Sequence, residues 1–192
     1  MKTTIILAHP WHGSFNKAIL DTTLAQLKKR NKAYQVIDLN MDNFDPVLGE
    51  GDLALFSKGQ YKDPQVGAYQ NMLKESDEVV FIFPIWWFDA PAILKGFLDK
   101  VMLKDFAYTE ASTGLKGLLT HVQRTTVITT SEVPTWYLKF LSGNPIQATF
   151  IRRTLHGIGL KNAKWINSDY TSTGKASKRK RFLDRISARF AV

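Results

Sequence analysis

The 192-residue sequence contains no cysteine. It therefore has no disulfide framework and no thiolate nucleophile, and it suits a reducing compartment. Long apolar runs are missing as well. Only Ile5 to Ala8 separate Met1-Lys2-Thr3-Thr4 from His9-Pro10, against the roughly 7–15 apolar residues of a secretory signal. No segment approaches the ~20 apolar residues that cross a bilayer, so a soluble, cytoplasmic protein is expected. Neither the G-x-G-x-x-G dinucleotide fingerprint nor a P-loop Gly-Lys-Ser/Thr occurs, and no zinc-ligand spacing or RNA-binding signature is present. Bound phosphate would thus be held in neither of those two standard ways, and no metal site is expected.

Acidic residues are in the minority, 17 against 26 Lys plus Arg, for a formal charge of +9. An excess of this kind serves nucleic acid, an anionic membrane surface or anionic small molecules. Its densest run, Lys175, Lys178, Arg179, Lys180 and Arg181, reads as the solvated face of a helix, with no nucleic-acid partner expected. Hydrophobic residues make up 44% of the chain, enough for a substantial core.

Short β-rich runs alternate with helical periodicity. Thr3 to Ala8 is a strand, and Ser14 is placed to cap a helix bearing Leu20, Leu24 and Leu27 on one face. Tyr34–Leu39 forms a second strand, and 40–63 lacks periodicity and reads as a long loop of the kind that is usually functional. A short helix at about 65–74 precedes the strand Glu78–Phe83, ended by Pro84. Pro91 fits the first position of the next helix. Thr125–Thr129 and Ala163–Asn167 complete five strands, with a helix from about 137 to 155 between them. A last helix from near Ser177 carries Phe182, Ile186 and Phe190. Five strand–helix alternations imply an α/β fold in one domain over residues 1–192. The expected form is a three-layer sandwich, with a five-stranded parallel sheet in order 2-1-3-4-5 and helices on both faces.

Such sheets bind ligands beyond the carboxyl ends of their strands, where the strand order reverses. That rule brings together 9–16, 84–91 and 129–137. The first, His9-Pro10-Trp11-His12-Gly13-Ser14-Phe15-Asn16, is a strand-to-helix turn whose unpaired amides suit a phosphate. The second holds Trp86, Trp87 and Phe88 in a row. Neighbours in a turn point different ways, so all three cannot enter the core. A stacked planar ligand and a subunit contact both account for them.

Ala8-His9-Pro10 with Ser14-Phe15-Asn16 resembles the flavin pyrophosphate loop of NAD(P)H:quinone oxidoreductases of DT-diaphorase type. Phe83 to Phe88, continuing through Ala90-Pro91-Ala92-Ile93-Leu94-Lys95-Gly96, is similar to that family's ring-contacting segment. Phe106-Ala107-Tyr108-Thr109 and Val127-Ile128-Thr129-Thr130 match further stretches, and the likeness covers roughly the first 137 residues. It implies a flavodoxin-like homodimer with FAD or FMN at each subunit boundary. NAD(P)H would be the co-substrate, and a quinone-like acceptor would use the same pocket. Carried over position by position, His9, Ser14, Phe15 and Asn16 would hold phosphate. Pro84, Ile85, Trp86, Trp87 and Phe88 would line the ring, with Thr129 and Thr130 at its pyrimidine edge. Tyr137 would be the catalytic residue, steadying charge on the reduced ring.

Departures stand beside the likeness. Ser131-Glu132 replaces the family's glycine pair, and Gly143 stands near where a catalytic histidine is expected. The adenine-contacting region is not recognisable, so FMN and FAD both remain open. A second reading is a flavin-binding ancillary subunit of a potassium-efflux system, which is in the same superfamily and would have a membrane partner.

Overall fold

Strand β3 (Glu78–Pro84) is buried along its whole length, and β1 (Lys2–Leu7) is buried from Thr3 onward. Strands covered on both faces lose the polar/apolar alternation of half-exposed ones. The computed structural model describes residues 1–112 and 114–191. Around these two strands, β2 (Ala33–Asp38), β6 (Arg124–Thr130) and β7 (Ala163–Ser168) complete a five-stranded parallel sheet in the order β2-β1-β3-β6-β7. A separate antiparallel hairpin, β4 (Tyr108–Ala111) and β5 (Gly114–Gly117), intervenes in sequence. The expected numbering 2-1-3-4-5 therefore becomes 2-1-3-6-7. The hairpin went unread because its strands are four residues each and mostly exposed, so they carry no burial periodicity.

One face of the sheet packs Ile5, Leu7, Val80, Ile82 and Ile128 against α1 (Phe15–Lys29) and α6 (Ala176–Phe190), which contribute Ile19, Leu20, Leu27, Phe182, Ile186 and Phe190. The other face packs Ile6, Phe81, Phe83 and Val127 against α3 (Pro64–Lys74), α4 (Ala92–Val101) and a π-helix (Ile146–Leu155). Burial of this apolar surface is the main force holding the layers together, at about 25 cal/mol per Å².

Two helical expectations change. The helix expected over 137–155 is two elements, α5 (Thr135–Phe140) and the π-helix. Gly143 and Asn144 lie between them with φ of 72° and 50°, left-handed conformations that end a right-handed helix. The loop expected over 40–63 contains α2 (Glu50–Phe56). The buried Lys100 of α4 fastens this segment, donating to the Asp45 carbonyl at 3.0 Å with the Asp52 carboxylate 3.8 Å away. Gly96 of α4 allows the same segment to approach, because a Cβ there would lie 2.3 Å from the Pro46 carbonyl oxygen. Pro91 precedes the first helical residue of α4 as its N-cap. No helix among the described residues is long and apolar enough to cross a membrane.

Candidate active site

The carboxyl ends of β1, β3 and β6 open into a cleft of about 550 Å³. Its floor begins at α1. Ser14 Oγ accepts from the Lys17 amide at 3.2 Å, fixing the first turn. The amides of Phe15 and Asn16 have no intrahelical acceptor there, and the turn holds no acidic side chain to compete with an anion. His9 stands beside them. Its Nδ1 accepts from the Trp11 amide at 3.1 Å, so the neutral ring carries its proton on Nε2 as a donor. Burial lowers the His9 pKa below the usual histidine value, keeping the ring neutral at pH 7.

Asn16 is almost fully buried. Its Nδ2 donates to Thr130 Oγ1 at 3.0 Å, and its Oδ1 has no partner. An unpaired buried acceptor is costly. A ligand hydroxyl would satisfy it. With the amide turned over, Thr130 donates instead and the NH2 group faces the cleft as a phosphate donor.

The aromatic segment forms a tight hairpin. Trp86 and Asp89 exchange two backbone hydrogen bonds of 3.0 Å, and between them Trp87 and Phe88 hold φ of 50° and 65°. Two positive φ values in a two-residue turn normally call for Asn-Gly. Bulky aromatics there store of order 1–3 kcal/mol each, strain that gathers at functional sites. Packing does not repay it, since Trp87 is 97% exposed. Trp86 lies 6.0 Å from the His9 ring, centroid to centroid, and forms the cleft wall with Pro84 and Ile85.

His9, Ser14, Phe15, Asn16, Pro84, Ile85, Trp86 and Thr130 all line this cleft. Trp87, Phe88, Thr129 and Tyr137 do not. Thr129 faces the opposite side of the sheet from Thr130, as strand alternation requires. It is fully buried and accepts from Trp165 Nε1 at 2.8 Å, with Asn167 Oδ1 2.7 Å away. Its side chain thus supports the sheet beneath the cleft. Tyr137 sits beyond the hairpin, 6.5 Å from the Phe88 ring. With Phe88 and Trp136, whose ring is 6.0 Å away, it forms an exposed aromatic cluster, and Trp87 and the 79%-exposed Phe140 are neighbours in sequence.

The far wall is built by Ser131 and Glu132, within the expected 129–137 segment, and by Thr171, Ser172 and Arg179, which sequence reasoning missed. The Glu132 carboxylate accepts from the Ser172 amide at 2.6 Å and from Thr173 Oγ1 at 3.1 Å, tying the β6–α5 loop to the β7–α6 loop. Burial alone would raise its pKa, but these hydrogen bonds outweigh it and hold the carboxyl below its usual range. Arg179 donates to the carbonyls of Thr171 and Gly174 and brings a permanent positive charge to the lining. Lys178 pairs with Asp169. Two members of the basic run are thus clamps on a loop, whereas Lys175, Lys180 and Arg181 are solvated as expected. The one sequence signal for this wall was the departure at Ser131-Glu132.

A doubly wound sheet with an anion-ready helix terminus and an aromatic wall at its switch point defines a nucleotide- or flavin-binding class of α/β protein. The chain belongs to the flavodoxin-like fold family, whose model matches residues 1–190. It is 32% identical over 174 residues to NAD(P)H dehydrogenase (quinone) 1 of Rattus norvegicus, a match covering 79% of this chain and 64% of that protein. This chain therefore spans a little under two thirds of that relative's length. Over its full length it is 29% identical to Smu.1420 of Streptococcus mutans, with a TM-score of 0.85 and 99% of that chain covered. It also shares its fold with an NAD(P)H:quinone oxidoreductase of Methanothermobacter marburgensis, at a TM-score of 0.87, 24% identity and 98% coverage of that chain. The likeness read from the loop motifs is thus met by sequence similarity over 79% of this chain to a quinone dehydrogenase.

Proposed function

We propose that the protein is a flavin-dependent NAD(P)H:quinone oxidoreductase. One observation carries this reading: unpaired α1 amides, the unpartnered Asn16 carbonyl and the strained Trp86–Asp89 hairpin all meet in one cleft of about 550 Å³. A flavin, FMN or FAD, supplies the ability to take hydride from a nicotinamide and return it, with a proton, to a quinone.

The protein's own groups bind and orient. His9 Nε2, the Ser14 hydroxyl and the amides of Phe15 and Asn16 hold phosphate at the positive end of α1, and Arg179 adds charge from the opposite wall. Pro84, Ile85 and Trp86 present a flat apolar surface for the ring. Ile85 is fixed by its amide's 2.7 Å hydrogen bond to the Thr130 carbonyl. Thr130 meets the ring's polar edge, and Thr129 holds β6 in register from below. Tyr137, outside the cleft beyond the hairpin, would steady negative charge where a bound ring projects past that hairpin.

Two copies of the chain pair through the surface bearing Trp87, Phe88, Trp136 and Phe140. Exposed aromatics of this kind are enriched at interfaces, and pairing would enclose the open side of the cleft with Tyr137 at the boundary. Positive net charge draws phosphate-bearing NAD(P)H, an attraction that weakens with salt.

The test is direct. Purified protein, reconstituted with FMN or FAD, should show the yellow flavin spectrum, bleach with NAD(P)H and recover with a quinone. A protein that stays colourless with both flavins would sink the assignment.

A further inference from the structure

A second cavity, of about 450 Å³, lies at the amino ends of β6 and β7, far along the strands from the flavin cleft. Four permanent cations wall it: Arg124, Lys161, Lys164 and Arg189. No carboxylate is among its described lining residues. His156 lines both this cavity and an adjoining one of about 430 Å³ that carries Arg152 and Arg153, so the positive surface continues between them.

Part of this charge is already engaged. Arg124 Nε lies 3.6 Å from Glu78, whose other oxygen accepts from Thr3, and Arg189 donates to Thr126 Oγ1 at 2.9 Å. Lys161 and Lys164 are exposed, and among the described residues neither has an acidic partner. Like charges crowded without counter-ions repel, and an anion placed among them relieves that repulsion.

An independent observation comes from a residue that lines the same space. Four threonines lie on β6 at positions 125, 126, 129 and 130. The hydroxyls of Thr126, Thr129 and Thr130 all accept hydrogen bonds. That of Thr125 has no partner, although the residue is 2% exposed and lines this cavity. Buried hydroxyls without partners are rare and costly, so an isolated one beside clustered cations reads as a group waiting for a ligand.

Size narrows the ligand. The cavity falls within the roughly 300–1,000 Å³ of small-molecule sites. The amides of Gln147 and Asn162 in its lining supply neutral donors and acceptors beside the cations. We propose that this cavity binds a phosphorylated small molecule of nucleotide size, with Lys161 and Lys164 on its phosphates and the Thr125 hydroxyl hydrogen-bonded to it.

Isothermal titration of the flavin-loaded protein at low salt, with ATP, pyrophosphate and adenosine as probes, tests this. ATP should bind and adenosine should not. Pyrophosphate should bind more weakly than ATP, and equal affinity would overturn the assignment of a ligand of nucleotide size. The double variant Lys161→Glu, Lys164→Glu should lose ATP affinity at least about tenfold, since charge-assisted phosphate contacts are strong, with quinone turnover unchanged. Thr125→Val should weaken binding about tenfold, the loss of one hydrogen bond, without lowering the melting temperature of the ligand-free protein. Absence of ATP and pyrophosphate binding at about 1 mM, or ATP affinity untouched by the lysine reversals, would overturn the proposal.

Discussion

Asn16 Nδ2 donates to Thr130 Oγ1 at 3.0 Å, joining the first turn of α1 to the last residue of β6 across 114 positions of sequence. This contact fixes the distance between the phosphate-ready helix terminus and the strand end that lines the cleft. Thr130→Val removes the acceptor and leaves the buried Asn16 amide with no partner at all. Stability should fall by about 1–3 kcal/mol and flavin affinity at least about tenfold. Urea unfolding and flavin-fluorescence titration measure the two effects separately.

The Trp86–Asp89 hairpin makes the opposite prediction for stability. Trp87→Gly relieves a positive φ at a side chain that packs on almost nothing. The flavin-free monomer should melt about 2–4 °C higher, the shift expected of roughly 1 kcal/mol in a chain of this size. Quinone reduction should decline at the same time. A lower melting temperature would show that the strain reading is wrong.

Gly96→Ala is favoured by helix propensity alone, by about 1 kcal/mol. Here the added methyl meets the Pro46 backbone, so net destabilisation of about 1–3 kcal/mol is expected. Chemical denaturation checks the sign.

Protonation provides two windows. In Glu132 and Asp169, hydrogen bonds outweigh burial and depress the carboxyl pKa; for Asp169 the Lys178 ammonium and the Thr135 amide do so. A folded pKa below the unfolded value means the unfolded chain binds more protons between the two. Their stabilisation is full above the unfolded carboxyl value and is lost as pH falls through the folded one. Glu132→Gln should flatten its part of that acid limb in stability–pH curves. His9, lowered by burial, has the same sign at higher pH: stability declines as pH drops below about 6.5. Its ring resonances should titrate below that value without ligand and shift upward on FMN addition, because a phosphate dianion favours the imidazolium.

Trp136→Ser combined with Phe140→Ser removes two exposed aromatics from the apolar surface beside the cleft. The chain should then elute as a monomer, with turnover sharply reduced and far-UV circular dichroism unchanged. A dimer of undiminished activity would place the subunit contact elsewhere.

Much of this was legible in local pattern. The continuous apolar run Val79–Phe83 read as a strand covered on both sides, and Phe182, Ile186 and Phe190 as one helix face, and both form so. The cap at Ser14 and the aromatic turn after β3 were equally plain, because each depends on near neighbours in sequence. The exposed β4–β5 hairpin and the break at Gly143-Asn144 were not, since neither leaves a burial period.

Amino-acid order by itself determined the layers, the five parallel strands and the two loops richest in chemistry, since hydrophobic period and turn chemistry act over a few residues. Tertiary structure alone decided which side chains share a space. It turned Thr130 into the cleft and Thr129 beneath it, drew Glu132 to Ser172, recruited Arg179 as a clamp and left the Thr125 hydroxyl unpaired among lysines. Those relations span 38 or more positions for Asn16 with Thr130, Thr129 with Asn167 and Glu132 with Ser172, and only the packing of distant segments can bring such groups within hydrogen-bonding reach.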